Sequence, residues 1–313
     1  MKALIIVFSQ TGNTRNVADR IYEGIRDSGA GCDMVSLPEA KDLDRYDLVG
    51  IGCPVFYYKE PFHVRTFLQE LPAQQDKPWF VFCTHGSVMG ITLESMAREL
   101  ANKGARVIGS HHTYADAWVP FYPHPTLTTG HPDQQELEEA RAFGREIASI
   151  GEAVRQGDLS GIRPIPEVTV AWAREEADLL SRDFLGQVMP RLEIDPEACT
   201  QCQECQELCP AGGIDVLDSP PKIQDPCIYC WHCVNVCPEC AVKADWNPLL
   251  QMAPANYERY TEALKGAEAR GEFRWLVDPD SMDFANPFQK QREEGKKSIP
   301  ERPQEVVSSK KQG

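Results

Sequence analysis

Residues 199–210 read Cys-Thr-Gln-Cys-Gln-Glu-Cys-Gln-Glu-Leu-Cys-Pro, and residues 227–238 read Cys-Ile-Tyr-Cys-Trp-His-Cys-Val-Asn-Val-Cys-Pro. Both stretches follow the pattern C-x2-C-x2-C-x3-C-P, and each cysteine of the first recurs in the second at a constant shift of 28 residues (199 to 227). An internal repeat that keeps all its cysteines in register indicates two copies of one small structural unit. The spacing therefore predicts two equivalent cysteine loops in one compact region.

The eight cysteines of the repeat are spaced as ligands of two [4Fe-4S] clusters. Three thiolates spaced by two residues can surround one cubane, while the fourth cysteine, which stands before proline, ligates the other cluster. The two ligand sets therefore interlock. We assign Cys199, Cys202, Cys205 and Cys237 to cluster I, and Cys227, Cys230, Cys233 and Cys209 to cluster II.

Zinc ribbons and disulfide bonds are the alternatives for such a stretch. A zinc ribbon uses two C-x2-C knuckles and four ligands, which leaves the third and fourth cysteine of each run without a role. Disulfides would have to pair across the two runs, and no other feature marks the chain as secreted. The iron-sulfur interpretation is favoured because it uses all eight cysteines.

With these ligands and the two prolines, this part of the chain resembles a bacterial-type two-cluster ferredoxin. The resemblance covers residues 190–247 and implies a small α+β domain with two [4Fe-4S] clusters. Outside the ligands, the shift of 28 residues aligns Ile214 with Val242 but Ile223 with Asp195. We therefore expect one apolar position to be shared by the two copies of the repeat and the other to be apolar in one copy only. The four remaining cysteines are predicted to be small buried hydrophobic residues. These are Cys32, Cys53, Cys83 and Cys240.

The composition is that of a soluble globular protein with two domains. The 313 residues are 42% hydrophobic and 25% charged, which is enough to form a buried core. The net charge of −15 argues against nucleic acid as a partner, because phosphate binding requires lysine and arginine. The apolar run from Ala3 to Phe8 is too short for a signal peptide, and no run is long enough to span a bilayer. We therefore expect a cytoplasmic protein without a transmembrane segment.

Residues 1–157 alternate short apolar runs with amphipathic stretches, a pattern typical of parallel strands joined by helices. In the first such stretch, Val17, Ile21 and Ile25 recur at every fourth position, as on one face of a helix. Five strands separated by helices predict a doubly wound α/β domain that binds ligands at the carboxyl ends of its strands. Strands are predicted at 3–8, 33–37, 48–52, 79–83 and 106–110, and helices at 13–27, 61–71, 93–103 and 134–154.

The loop after the first strand has the composition of a phosphate-binding loop. It reads Ser9, Gln10, Thr11, Gly12, Asn13 and Thr14 and leads directly into the first helix. Short hydroxyl side chains, a glycine and a helix N-terminus can bind phosphate without a cationic side chain. The loop is neither a Walker A motif nor a dinucleotide fingerprint. An ordinary capped helix start is the alternative, since Ser, Thr and Asn are common caps.

Together with the five-strand alternation, the Thr-Gly-Asn-Thr core of this loop resembles the FMN phosphate loop of flavodoxins, over residues 1–155. The resemblance implies a flavodoxin-like sheet with bound FMN and two further loops that hold the isoalloxazine ring. The matching positions are Pro54, Val55, Phe56 and Tyr57 after the third strand, and Thr84, His85, Gly86, Ser87 and Gly90 after the fourth. Taken singly, Phe56, Tyr57 and Tyr58 are equally consistent with core packing.

Residues 114–132 depart from the short flavodoxins. Trp118, Phe121 and Tyr122 lie there among four prolines and could cover the flavin or support the second domain. Four histidines follow no metal-ligand spacing and are predicted to be loop residues, namely His111, His112, His124 and His131. The imidazole of His85 could shuttle a proton beside the flavin, although an ordinary loop histidine is the simpler interpretation.

The rest of the chain is predicted to be a linker and a C-terminal extension. The linker, residues 158–189, contains a helix at 171–188 that packs between the domains. Its predicted apolar face consists of Leu179, Leu180, Phe184, Leu185 and Val188. The extension, residues 248–313, contains a helix at 256–269 and a basic tail from Lys290 that is predicted to be disordered.

The whole chain is similar to fusions of a flavodoxin with a ferredoxin, which the resemblance places mainly in anaerobic prokaryotic metabolism. It implies an electron-transfer flavoprotein that passes electrons between FMN and external redox partners through two [4Fe-4S] clusters. Whether the chain is itself an enzyme stays open, and no catalytic residue is assigned. One alternative is an FMN-dependent oxidoreductase that reduces a small substrate directly, with Tyr57, His85 or Tyr114 as proton donor. The other is an electron-wiring subunit of a larger redox complex.

Overall fold

The computed structural model describes residues 1–295, and its first half is a five-stranded parallel sheet with helices on both faces. The strands are β1 Lys2–Val7, β2 Gly31–Ser36, β3 Leu48–Pro54, β4 Pro78–His85 and β5 Arg106–Tyr114. The helices are α1 Asn13–Asp27, α2 Phe62–Glu70, α3 Thr92–Asn102 and α4 Gln134–Arg155. All of these elements were predicted, and β5 alone ends well beyond its predicted limit.

The strand order is β2-β1-β3-β4-β5, and every neighbouring pair is parallel. This is the flavodoxin-like order, in which the connection reverses direction between β1 and β3. The predicted fold class is therefore confirmed. β5 is longer than predicted because residues 111–114 continue the ladder with residues 82–85 of β4.

Alternate residues of the central strands contribute to two separate apolar cores. Ile5 and Phe82 pack on the side of α1 and α4, whereas Ile6 and Val81 pack on the side of α2 and α3. Strands that are buried on both faces carry nearly continuous apolar sequence, which is why they were predictable. The two cores fix the carboxyl ends of β1, β3 and β4 side by side at one edge of the sheet.

The cysteine-rich region forms a small domain of two-residue strands and two short helices. β6 Glu193–Ile194 pairs antiparallel with β9 Val242–Lys243, and β7 Ile214–Asp215 pairs antiparallel with β8 Lys222–Ile223. The helices are α7 Glu204–Glu207 and α8 His232–Val236. This small α+β domain also agrees with the predicted fold class.

The internal repeat extends to the backbone. Gln201 and Gln203 have φ values of 54° and 66°, and their equivalents Tyr229 and Trp231 have φ values of 55° and 61°. Left-handed backbone is uncommon for residues other than glycine. The two cysteine loops therefore adopt one unusual geometry twice.

The strand pairing corrects one prediction about the repeat. Ile194 pairs with Val242 in one sheet, and Ile223 pairs with Ile214 in the other, so both apolar positions are kept. The alignment of Ile223 with Asp195 was wrong by one residue. The reason is a length difference, since four residues separate Ile194 from Cys199 and three separate Ile223 from Cys227.

The linker contains two helices, α5 Ala171–Leu179 and α6 Arg182–Val188, in place of the single predicted helix. Ser181 caps α6, because its Oγ accepts a hydrogen bond from the Phe184 N–H at 3.2 Å. The break changes which side chains face inwards. Two residues of the predicted apolar face are exposed, Leu179 at 56% and Val188 at 49%, so that face was partly wrong. The buried positions are Ala173, Ala177 and Leu185.

The C-terminal extension folds back onto both domains. α9 Asn247–Ala269 is longer than predicted and packs against Tyr114 and Leu127, while α10 Phe288–Glu293 buries Phe288. The predicted disorder from Lys290 is therefore wrong for residues 290–293, which belong to α10. The remainder of the predicted basic tail, residues 296–313, lies outside the described residues.

Candidate functional site

The predicted phosphate loop connects β1 to α1, and side-chain hydrogen bonds hold it in place. The Thr14 hydroxyl lies 2.6 Å from the Thr84 hydroxyl, and the Asn13 Nδ2 donates to the Asp116 carbonyl at 3.1 Å. The Arg15 N–H donates to Ser9 Oγ at 3.2 Å. Gly12 occupies the N-cap position of α1 with a φ of 97° and makes no side-chain cap, so the Ser9 hydroxyl takes one N–H of the first turn in its place. An anion bound at this helix N-terminus would face the other N–H groups of the first turn.

The second predicted loop is a tight turn between Phe56 and Lys59. The Phe56 N–H donates to the Lys59 carbonyl at 2.9 Å, and the Lys59 N–H donates back at 3.2 Å. Tyr57 and Tyr58 have φ values of 53° and 62°, as in a type I′ turn, where glycine and asparagine are the usual residues. A left-handed backbone costs a side-chain-bearing residue about 1–2 kcal/mol. Contacts made by the two tyrosine side chains offset that cost.

The two tyrosines point to different parts of the molecule. The Tyr58 hydroxyl lies 2.9 Å from the Tyr260 hydroxyl, and its ring meets Trp172 edge-on at 5.3 Å. Burial raises the pKa of Tyr58, so the phenol stays protonated. Tyr58 is thus a packing residue between the sheet domain, α5 and α9. Phe56 and Tyr57 remain as aromatic candidates for contact with a flavin.

The third predicted loop, residues 84–90, contacts both of the others. The Val55 N–H donates to the Thr84 carbonyl at 2.8 Å, and the Ile91 N–H donates to the Tyr58 carbonyl at the same distance. Gly90 has a φ of 61°, and a Cβ there would lie 2.1 Å from the Tyr58 carbonyl oxygen. Glycine is therefore required for the close packing of the two loops. The structure brings the three predicted flavin loops together at the carboxyl edge of the sheet.

His85 ends β4 and is 5% exposed. Its Nε2 lies 3.1 Å from His112 Nδ1, its Nδ1 lies 3.1 Å from the Gly86 carbonyl oxygen, and its ring contacts that of Tyr114. Burial lowers the pKa of His85 well below its usual range, and the nearby His112 adds to the effect. The imidazole is therefore neutral and directed along the sheet toward β5.

The prediction that four histidines lie in loops is wrong for two of them. His111 and His112 belong to β5, where His111 stacks on Phe143 at 5.1 Å. An edge strand tolerates such polar residues, and they gave the end of β5 the composition of a loop. The sequence therefore did not indicate that the strand continues to Tyr114. His124 and His131 lie outside the helices and strands, and His131 Nδ1 is 2.8 Å from the Glu136 carboxylate.

The eight cysteines of the repeat surround two separate cavities. One is lined by Cys199, Cys202, Cys205 and Cys237, and the other by Cys209, Cys227, Cys230 and Cys233. These are the two sets of four that the sequence assigned to cluster I and cluster II. Within residues 1–295, no three side chains of His, Cys, Asp or Glu are arranged to hold a single metal ion. The thiols of each set stand around a cavity and do not converge on a point.

The thiols of both sets have backbone donors and buried surroundings. The Tyr229 N–H donates to Cys227 Sγ at 3.4 Å, and the Ala241 N–H donates to Cys237 Sγ at 3.2 Å. Burial raises the pKa of Cys205 to about 11 and that of Cys230 to about 12. Thiols in such surroundings become thiolates when a cationic metal core binds them. The other cysteines, at positions 32, 53, 83 and 240, are buried, as predicted.

The predicted flavin loops and the second cysteine set are in direct contact. The Tyr57 hydroxyl donates a hydrogen bond to the Tyr229 carbonyl at 2.6 Å. The Gln10 side chain lies near the Cys230 thiol and lowers its pKa, against the larger effect of burial. Tyr229 and Cys230 are adjacent in the chain, so two of the predicted flavin loops meet one cysteine loop at one place. We call this place the junction, defined by Gln10, Tyr57, Tyr229 and Cys230.

Residues 114–132 pack against the second domain, which is one of the two roles left open by the sequence. Phe121 packs in the core of the second domain, with Trp231 and Trp246 at 6.2 and 6.0 Å. The Asn235 Nδ2 donates to the Trp118 carbonyl at 2.8 Å. Asp116, at the start of the segment, accepts the bond from the phosphate loop described above. The segment thus links the phosphate loop to the cysteine domain.

Two buried polar residues of the second domain had no signal in the sequence. Asn235 in α8 is 1% exposed, and Arg292 in α10 is 6% exposed. A single asparagine or arginine in a helix is usually solvated, and only the tertiary fold shows their contacts.

Two family models match the chain. A family described as flavodoxin domain matches residues 4–113, and one described as 4Fe-4S dicluster domain matches residues 191–238. The first match covers β1 through most of β5, and the second ends at Pro238 of the second cysteine run.

Named relatives match about half of the chain. An NAD(P)H dehydrogenase (quinone) from Afipia carboxidovorans is 25% identical over an alignment of 194 residues, and the match covers 47% of this chain and 95% of that protein. A flavodoxin structure from the domain Archaea is 22% identical, covers 49% of this chain and 99% of its own, and has a TM-score of 0.40. Oxidised flavodoxin 1 from Bacillus cereus is 19% identical, covers 48% and 98%, and has a TM-score of 0.39.

The two family matches support an electron-transfer or oxidoreductase role that uses a flavin and iron-sulfur chemistry. Such a role implies redox partners. No helix within residues 1–295 is both long and apolar enough to cross a bilayer.

Proposed function

We propose that this chain, which joins a flavodoxin domain to a 4Fe-4S dicluster domain as a flavodoxin/ferredoxin fusion does, transfers electrons between FMN and an external redox partner through two [4Fe-4S] clusters. FMN exchanges electrons singly or in pairs, whereas each cluster exchanges one at a time. The observation that carries the proposal is the junction, where the flavin loops touch the second cysteine loop.

The residues at the edge of the sheet fit FMN. Ser9, Thr11 and Asn13 offer short polar side chains, and the first turn of α1, which Gly12 leaves without an N-cap side chain, offers N–H groups for the phosphate. Gln10 Nε2 is buried near the Cys230 thiol and makes no hydrogen bond of standard geometry within the described residues. A buried amide of this kind normally has a partner, and a bound ligand would supply one. In the proposal, residues 54–57 and 84–90 hold the isoalloxazine ring.

The two cysteine sets fit [4Fe-4S] clusters. Each set has four thiols around one cavity, and each has a backbone N–H that donates to a sulfur. Hydrogen bonds to the sulfurs and solvent exposure set the potential of such a cluster. We infer that Cys199, Cys202, Cys205 and Cys237 hold cluster I and the other four hold cluster II.

The arrangement supports an order of transfer. Cluster II would lie at the junction, because Cys230 lies near Gln10 and the Tyr229 carbonyl accepts the hydrogen bond from Tyr57. Cys202 of the cluster I set is exposed, as are its neighbours Thr200 and Gln201. Electrons would therefore pass between FMN and cluster II inside the molecule, and between cluster I and the partner at the surface. The acidic chain would favour a partner with a basic surface.

Direct reduction of a small substrate at the flavin is the second candidate. The named relative from Afipia carboxidovorans, an NAD(P)H dehydrogenase (quinone), favours it. The candidate proton donors are engaged elsewhere, since the Tyr57 hydroxyl donates to Tyr229 and the His85 ring lies against His112. Tyr114 is buried against Phe273 at 4.8 Å. These contacts favour the electron-transfer role.

An anaerobic redox titration with parallel optical and EPR spectra tests the proposal. The purified, reconstituted protein should contain one FMN, two cubanes per chain by iron and sulfide analysis, and two separate cluster signals. Electrons added to the flavin should equilibrate with both clusters. Fewer than two cubanes, or reduced clusters that do not exchange electrons with the flavin, would overturn it.

A further inference from the structure

Arg292 is buried in the second domain, although it comes from the C-terminal extension. It lies on α10, is 6% exposed and donates two hydrogen bonds to backbone carbonyls. Its Nη1 donates to the Val234 carbonyl at 2.6 Å, and its Nη2 donates to the Cys237 carbonyl at 2.7 Å. Its Nε is buried without a hydrogen-bond partner in the described chain. The guanidinium thus bridges two residues near the cysteine sets. Val234 directly follows the predicted ligand Cys233, and Cys237 is itself a predicted ligand.

The charge of this side chain has no carboxylate partner among residues 1–295, where none of the ion pairs includes Arg292. Its neighbour Glu293 pairs with Lys243 at 2.8 Å. A guanidinium remains protonated in proteins. An unpaired buried charge costs several kcal/mol, so its presence here indicates a nearby anion. Four thiolates around an iron-sulfur core carry a net negative charge, and the cysteine set that includes Cys237 would provide it.

We propose that Arg292 supplies a buried positive charge that raises the reduction potential of cluster I above that of cluster II. This inference rests on the proposed function, because it assumes that both clusters bind. Reduction adds one electron to a cluster and so increases its negative charge. A fixed cation nearby stabilises the reduced form more than the oxidised form.

The contacts favour an effect on cluster I over cluster II. Arg292 donates directly to the backbone of Cys237, a predicted ligand of cluster I. Toward the second set it reaches only Val234, one residue beyond the ligand Cys233. The exposed Cys202 also admits solvent beside cluster I, and solvent exposure raises cluster potentials as well. Both influences would draw electrons from the junction toward the surface.

A purely structural role is the competing explanation, since Arg292 also satisfies two carbonyls at the end of α8. The variants Arg292→Lys and Arg292→Gln separate the two roles. Lysine keeps the charge and loses the forked geometry, whereas glutamine keeps a donor and loses the charge. Lys243→Gln is the matched control, because it also removes a positive charge from this region. The Lys243 side chain is 47% exposed in its ion pair with Glu293, so solvent screens its charge.

The experiment is an EPR-monitored redox titration of the full-length, reconstituted protein, with cluster I identified by the signal that Cys202→Ser alters. In Arg292→Gln we expect the equilibrium constant for transfer from cluster II to cluster I to fall about tenfold, or about 59 mV for one electron. Arg292→Lys should retain most of the wild-type value, and Lys243→Gln should leave it unchanged. Equal shifts in the lysine and glutamine variants, or no shift in glutamine, would overturn the inference.

Iron and sulfide analysis separates this outcome from failure of the proposed function. If the wild-type protein binds fewer than two cubanes, the proposed function fails; if it binds two and Arg292→Gln shows no shift, the inference alone fails. If Arg292→Gln does not incorporate its clusters, the potentials of the two clusters in the wild-type protein test the inference instead. Cluster I must then have the higher potential of the two, and the reverse order contradicts the inference.

Discussion

The two cysteine loops have the same backbone and different surroundings. Gln201 and Gln203 of the first loop adopt the left-handed geometry of Tyr229 and Trp231 in the second. The first loop exposes Cys202 and Gln201 to solvent, whereas the second buries Trp231 among Phe121 and Trp246. Ligand geometry is thus constant while the environment differs. We infer that the environment assigns the inner role to one cluster and the outer role to the other.

Removal of one ligand from each loop should have the largest effect. In Cys230→Ser we expect loss of the cluster at the junction, so that electrons on the flavin no longer reach cluster I on the wild-type time scale. In Cys202→Ser the flavin should still reduce cluster II, while transfer to an external acceptor fails. Rapid-mixing optical spectroscopy under anaerobic conditions measures both steps. Equal loss of flavin-to-cluster transfer in the two variants would contradict the difference between the loops.

The second largest effect should come from the apolar support of the second loop. Phe121 is 9% exposed and packs with Trp231, so Phe121→Ala should destabilise the protein by about 3–5 kcal/mol. Leu217, which is 59% exposed, is the control, and Leu217→Ala should change stability by less than about 0.5 kcal/mol. Anaerobic denaturant titration of the loaded protein provides the measurement. Similar midpoints for the two variants would show that Phe121 does not anchor the domains.

A smaller effect is expected at the junction. Tyr57→Phe removes the hydrogen bond to the Tyr229 carbonyl and should cost about 0.5–1.5 kcal/mol. It should also slow flavin-to-cluster transfer, because the ring loses its link to the second loop. Tyr58→Phe removes a hydroxyl of the same turn that faces Tyr260 and should leave the transfer rate unchanged. If the rates of the two variants are the same, Tyr57 has no special role.

The last expected effect is on stability alone and concerns the position two residues after each Cys-Pro pair. Gly212 has a φ of 66° and open space within 4 Å of the point where a Cβ would stand, and its equivalent Cys240 has a φ of 48°. Gly212→Ala should cost about 1–2 kcal/mol through backbone strain alone. Gly212→Asn should cost less, since asparagine tolerates this backbone more readily. Thermal unfolding of the loaded protein tests the order, and a neutral Gly212→Ala would exclude strain.

The sequence was sufficient where periodicity or a repeat determined the structure. Strands buried on both faces kept continuous apolar sequence, and the cysteine register predicted the same two sets of four thiols that line the two cavities. It was insufficient where contacts between distant parts of the chain determine what a side chain does. Nothing local separates Tyr57 from Tyr58, yet one faces the second cysteine loop and the other faces α9. Likewise, Arg292 lies 55 positions after Cys237, whose carbonyl accepts its hydrogen bond.

The measurement that tests the central claim most directly follows one electron through the wild-type protein. After rapid photoreduction of the flavin under anaerobic conditions, freeze-quenched EPR samples record which cluster is reduced first. The cluster that is lost in Cys230→Ser should gain the electron first, and the cluster altered in Cys202→Ser should gain it afterwards. If the cluster altered in Cys202→Ser is reduced first, the junction is not the path between flavin and clusters.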